Sequence, residues 1–136
     1  MGGFVSTPPL DNLALVITFF DIGPRYNIKA ACREILLGFW KAHILHHASE
    51  APIHGQWILL ELRRHGYELS PGTLYPLLNR MERLGWLRSK SDPNGGPRAR
   101  KDYQLTAAGR KILNVLRKQI QELHEEVVKG KAPTHP

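Results

Sequence analysis

The sequence predicts a mostly α-helical protein with one small β-hairpin, an α+β fold. Three observations carry this expectation. Apolar residues recur at helical spacing in four separate stretches. A segment dense in glycine, proline and asparagine, residues 91–99, separates two short runs of strand character. Glycines stand where two of the helical patterns stop, at Gly66 and Gly85.

The elements follow in order. Residues 1–24 hold Pro8-Pro9 and a Gly23-Pro24 break and show no helical period, so residues 1–28 read as an N-terminal extension. A first helix is expected over 29–48, where Ile35, Leu36, Phe39, Trp40, His43, Ile44 and His47 share one side. Pro52 ends it, because the residue before a proline is pushed out of the helical region. A second helix runs over 55–64, with Arg63 and Arg64 in its last turn. The third has Ser70 as N-cap and Pro71 at the first helical position, where a missing N–H costs nothing. Leu74, Leu77, Leu78, Met81 and Leu84 mark its apolar face. Pro76 removes one bond to the Gly72 carbonyl and should bend the first turn. Residues 86–90 and 100–105 form the hairpin around a basic tip. Thr106 then caps a last helix reaching about residue 128. In it Leu113, Leu116, Ile120, Leu123 and Val127 step by three and four as a short heptad seam.

Composition bounds the function. The chain has 136 residues, 42% apolar and 23% charged, which fits a globular domain and excludes a disordered or collagen-like chain. Its longest apolar run, LALVITFF at 13–20, is far shorter than the roughly 20 residues of a spanning helix. It has no basic region before it, so a cytoplasmic protein with no membrane partner is expected. That run reads as a strand or tail packed on the core. The lone Cys32 excludes an internal disulfide and reads as a small buried hydrophobe. The net charge of +7 sits in the middle of the chain, where residues 51–111 carry eleven Lys/Arg against five Asp/Glu. A basic block of this kind favours a polyanionic partner.

Three helices followed by a hairpin is the winged helix-turn-helix order. In that fold the third helix enters the major groove and the wing lies on the phosphate backbone. The third helix here offers Thr73, Tyr75, Asn79, Arg80 and Arg83 opposite its apolar face. Asn and Arg can read adenine and guanine edges. The amides of Gly72 and Thr73 beside Ser70 favour a phosphate. The wing supplies Arg98, Arg100 and Lys101, with Arg88 and Lys90 on the strand before it. The expected layout is a DNA-binding domain over 29–105, a dimerisation helix over 106–129 and a tail over 130–136. A palindromic site on double-stranded DNA needs a two-fold protein. The seam can supply it with support from Phe39 and Trp40, since two heptads are too short alone.

The runs ILHHASEAPIHG (44–55), ELRRHGYELSPGTLYPLLNRMERLGWL (61–87) and RKDYQLTAAGR (100–110) resemble the PadR family of bacterial transcriptional regulators. SPGTLYPLL (70–78) is the most specific part and LTAAG (105–109) the second. The resemblance implies a homodimer that binds an inverted-repeat operator and usually represses transcription. On its pattern Gly72 through Pro76 match the recognition-helix motif, and His54 and Gly55 match the start of the second helix. The family commonly places a Tyr directly after His-Gly, where this chain has Gln56 and then Trp57. Some relatives bind flat aromatic effectors, which makes Trp40 and Trp57 candidate effector contacts.

Other constellations weigh less. His43, His46 and His47 lie at i, i+3 and i+4, but spacing brings no carboxylate or cysteine to them. They read as packing or surface histidines, and neither metal nor cofactor is expected. No G-x-S-x-G, HExxH or P-loop is present, so no enzyme is expected. A non-specific nucleic-acid binder and a winged-helix protein–protein module are the alternative functions. The polar face of the third helix argues against the first. The salt dependence of DNA binding would separate off the second.

Overall fold

The computed structural model describes residues 28–131. Most of the expected N-terminal extension, with the apolar run at 13–20, and residues 132–136 of the expected tail lie outside them. The elements are α1 (Ile28–Glu50), β1 (Ile53–His54), α2 (Gly55–Arg64), α3 (Pro71–Arg83), β2 (Leu87–Ser91), β3 (Lys101–Leu105) and α4 (Ala107–Leu123). A short 3₁₀ turn, Gly96–Arg98, shapes the hairpin tip, and a π-helical turn, His124–Val128, extends α4.

The winged-helix order is therefore present, with one addition. The two residues of β1 pair antiparallel with β3, Ile53 opposite Tyr103 and His54 opposite Asp102. This makes a three-stranded sheet in the order β1-β3-β2. Ile53 and Tyr103 are both buried, so the pairing closes the core at the start of α2. A run of two residues carries no period, which is why sequence pattern shows no strand there.

The core joins all four helices to the sheet. Ile44 and Leu45 of α1, Ile58 and Leu62 of α2, Leu74, Leu78 and Met81 of α3, and Leu87 of β2 are fully buried. Each such side chain stabilises the fold by about 1.5–3 kcal/mol. The apolar face expected for α3 holds except at Leu84. That residue is the C-cap and points outward, half exposed, because the helix has already ended.

Both α2 and α3 end in the same way. Gly66 and Gly85 take φ of 92° and 80°. The amide after each glycine returns to the helix, Tyr67 N–H to the Leu62 carbonyl and Trp86 N–H to that of Met81. This double-bonded stop needs left-handed backbone at the glycine. It fixes where the chain leaves α3 and so aims the hairpin.

Thr106 then ties the far end of the hairpin back. Its amide donates to the Trp86 carbonyl and its hydroxyl to the Gly85 carbonyl. Its Oγ1 also accepts the Gly109 amide, capping α4. A Cβ on Gly109 would meet the Trp86 carbonyl oxygen. The LTAAG run is thus the joint between wing, α3 and α4.

Candidate nucleic-acid interface

The outward face of α3 carries Tyr75, Asn79, Arg80 and Arg83, all exposed. Ser70 occupies the N-cap, but its side chain makes no capping bond. Its carbonyl accepts the Thr73 and Leu74 amides, and its Oγ lies 3.4 Å from Thr73 Oγ1. The first turn therefore keeps the exposed Gly72 backbone beside two hydroxyls. Pro76 sits inside α3, which continues through it from Pro71 to Arg83. Thr73 is half-buried and accepts a bond from Arg33 Nη2 of α1 at 3.3 Å. Arg33 is a neighbour that sequence spacing does not reveal.

The start of α2 sets the position of Tyr75. His54 is the N-cap, and its Nδ1 accepts the Trp57 amide at 3.3 Å. A Cβ on Gly55 would lie 2.4 Å from the Tyr75 ring. The ring therefore rests on bare backbone, and only glycine leaves it there. The His-Gly pair singled out by the sequence as the start of the second helix thus caps α2 and seats the Tyr75 ring.

On the wing, Arg88 and Lys90 are exposed on β2, Arg98 on the 3₁₀ turn, and Arg100 and Lys101 beside β3. Arg100 pairs with Asp102 at 3.2 Å. An exposed pair of this kind is worth about 0–1 kcal/mol, so it leaves the guanidinium available to a phosphate. Glu82 of α3 accepts the Ser89 amide and clamps the wing to the helix.

These elements enclose a cleft of about 530 Å³ lined by His54, Gly55, Gln56, Tyr75, Asn79, Arg98, Arg100 and Lys101, among others. Six of the residues that the sequence offers for DNA line it: His54, Tyr75, Asn79, Arg98, Arg100 and Lys101. Ser70, Gly72 and Thr73 sit at the α3 N-terminus instead, and Arg80 stands on the outer face of the helix. Lys90 lines a neighbouring depression of about 450 Å³ with Arg100, while Arg88 is exposed on β2 outside both. Gln56 is the residue that sequence reasoning passed over. Its one mark in the sequence was that it stands where the family commonly has a Tyr after His-Gly.

The residues expected at a dimer interface divide in two. Trp40 and Leu113 are 3% and 2% exposed and belong to the core of the single chain. Trp40 packs edge-on against Tyr67. It has no face left for a second copy or an effector, which corrects both roles assigned to it. Leu116 is half-buried against the same core. Phe39, Ile120, Leu123 and Val127 are exposed. With Tyr67 and others they line an apolar groove of about 370 Å³ between α1 and α4. Trp57 is partly exposed, packed edge-on against His47 and away from that groove.

The α1 histidines meet partners that their spacing did not announce. His65, the C-cap of α2, and Glu61, one turn earlier, come up beside His43 and His47. His43 Nε2 lies 3.0 Å from the Tyr67 hydroxyl. Burial, with help from His65, His47 and His46, lowers the His43 pKa to about 4 against the opposing pull of Glu61. The ring is neutral at physiological pH. The Arg64 guanidinium bonded to Glu61 holds that carboxyl below its usual range.

A recognition helix presented beside a basic wing defines a winged-helix DNA-binding regulator, and comparison with known proteins agrees. The transcriptional regulator PadR-like family matches residues 44–115. The chain is 46% identical over 102 residues to the transcriptional regulator Rv3488 of Mycobacterium tuberculosis, covering 75% of this chain and 94% of that one. A PadR family regulator from Eggerthella lenta superposes with a TM-score of 0.63 at 32% identity, covering 75% of this chain and 89% of that one. A PadR-like regulator from Bacillus cereus gives 0.63 at 25%, covering 71% and 94%. The chain belongs to the PadR-like family of transcriptional regulators, which bind DNA and are not enzymes. Among the described residues no helix is long and apolar enough to cross a membrane.

Proposed function

We propose that the chain works as a homodimer that binds an inverted-repeat operator in the cytoplasm, represses transcription by occupying it, and responds to a small-molecule effector. The cleft carries this reading. It sets side chains suited to reading bases, Asn79 and Tyr75, beside side chains suited to phosphate, Arg98, Arg100 and Lys101, in one cleft. Arg80 extends the reading surface along α3, and the α3 N-terminus offers a phosphate the Gly72 amide with the Ser70 and Thr73 hydroxyls beside it, the Thr73 amide being taken by the Ser70 carbonyl. The division of labour matches the physics of DNA recognition, in which phosphate contacts position and base contacts specify.

The exposed row Ile120, Leu123 and Val127, with Phe39 across the groove, supports the dimer. An apolar stripe of this length on a basic, soluble-type surface is favoured by burial against a second copy. The same groove, rather than Trp40, has room for a small aromatic effector.

Fluorescence anisotropy tests the reading. The protein is titrated into labelled duplex from the region upstream of its own gene and into a scrambled duplex, each over a range of salt. The expected result is operator affinity about 10³-fold or more above the scrambled control, with a steep negative salt slope. Equal, weak binding to both would replace the specific reading with a non-specific one. Absence of binding at low salt would remove DNA altogether.

A further inference from the structure

The corner where α1 meets the end of α2 holds a cluster that DNA binding does not use. His43 and His47 are one helical turn apart on α1, and the α2 C-cap brings His65 to them. One ring nitrogen from each lies within 4.8 Å of the other two. The His43 and His65 rings are 4.9 Å apart and the His47 and His65 rings 6.3 Å, nearly parallel. Glu61 Oε1 stands 3.3 Å from His65 Nε2 and 3.8 Å from His47 Nε2. The His47 Nε2 atom is buried and has no hydrogen-bond partner. Buried polar atoms are almost always satisfied, so an orphaned ring nitrogen facing two other rings and a carboxylate asks for a ligand.

From this geometry we infer that His43, His47 and His65, with Glu61 beside them, form a binding site for a divalent transition metal of the zinc class. Three imidazoles and a carboxylate suit such an ion, whereas calcium and magnesium take oxygen donors. Bonds of about 2.0–2.1 Å in a tetrahedral site put neighbouring donor atoms about 3.3 Å apart. Since the donor nitrogens all lie within 4.8 Å of one another, no pair needs to close by more than about 1.5 Å. Glu61 puts one negative charge beside the three imidazoles, and the Arg64 guanidinium bonded to it favours its ionised form.

The site bridges two parts of the molecule. His43 and Tyr67 also line the groove between α1 and α4, while His65 ends the helix that precedes α3. A metal bound there ties the dimer-side helix to the DNA-reading unit. On the DNA-binding reading above, on which this regulatory part rests, the metal is an effector that shifts operator affinity.

The test uses the full chain freed of metal with a chelator. Zinc chloride is titrated in by calorimetry, and cobalt(II) by its visible absorption. The expected result is one equivalent bound per chain and a tetrahedral cobalt spectrum. Losing a ligand should weaken binding by more than the roughly 10–100-fold cost of losing an outer-shell partner. His65→Ala, at a partly exposed helix end, should show that loss with its circular dichroism unchanged, and His47→Ala should match it. His46→Ala should bind as the parent does. His46, His47 and Glu50 form a rival grouping on α1 alone. Loss on His46→Ala with retention on His65→Ala would therefore overturn the assignment, as would no saturable binding. Zinc binding is read without DNA, so its failure and failure of DNA binding are separate results. Operator anisotropy with and without zinc should differ at least fivefold, and identical curves would remove the effector role.

Discussion

On the wing side of the molecule, Asn79, Arg80, Arg98 and Lys101 stand exposed, and their side chains have no partner among the described residues. The backbone beneath them is tied down by the Gly85 stop, the Thr106 joint and the Glu82 clamp. On the α1 side, His43, His47, His65, Tyr67 and Glu61 are turned inward upon one another at 3–4 Å or in ring contact. Both regions are polar, but they suit different ligands. Free side chains on a rigid frame match a large, patterned polyanion that supplies every partner from outside. Converged rings with one orphaned nitrogen match a single small ion. Polarity alone would have treated the two alike; the direction of the side chains separates them.

The largest expected effect falls on the element that would join two copies. Replacing Ile120 and Leu123 by Asp should give monomers by light scattering. Operator affinity should fall by about 10²-fold or more, since two linked half-sites are lost together. An unchanged dimer mass would move the interface elsewhere. Next comes base reading. Asn79→Ala and Arg80→Ala should each cost about 1–3 kcal/mol on the operator and little on a scrambled duplex. An equal loss on both duplexes would make these side chains phosphate contacts.

Smaller effects sharpen the contrast between frame and face. Thr106→Val removes two hydroxyl bonds at the joint and should lower stability by about 1 kcal/mol. The urea midpoint reads this. Operator affinity measured far below the unfolding transition should stay close to the parent value. The smallest change is on the wing tip. Arg98→Ala and Lys101→Ala should each reduce the slope of log affinity against log salt by about 1 and weaken all duplexes alike. A change in sequence preference would make the wing a reader of bases.

The helices were legible in sequence because their punctuation is strong. Gly66, Gly85 and Thr106 mark stops and a cap, and each does in the structure the work its residue type predicts. The Ser70-Pro71 start of α3 was equally plain, although the serine caps by its carbonyl and not its side chain. Periodicity also found the faces of α1 and α4. It cannot say what covers a face, so Trp40 and Leu113 looked like interface residues when the fold of one chain already buries them. The same limit hid the histidine corner. His43 and His47 are neighbours on one helix, but His65 and Glu61 reach them only through the crossing of α2 over α1, which no local spacing encodes. Six cleft residues were readable because helix, cap and hairpin each announce themselves. Gln56 was not, because a glutamine in a first turn is common on any helix.

Chemical-shift mapping of backbone amides, with unlabelled operator duplex added to isotope-labelled protein, tests the central assignment most directly. The account predicts large perturbations at the start of α2, along α3 from Gly72 to Arg80, and over the wing from Arg98 to Lys101. The amides of His43 and His47 should move little. Perturbations centred on the histidine corner or the α1–α4 groove, with α3 and the wing silent, would contradict it.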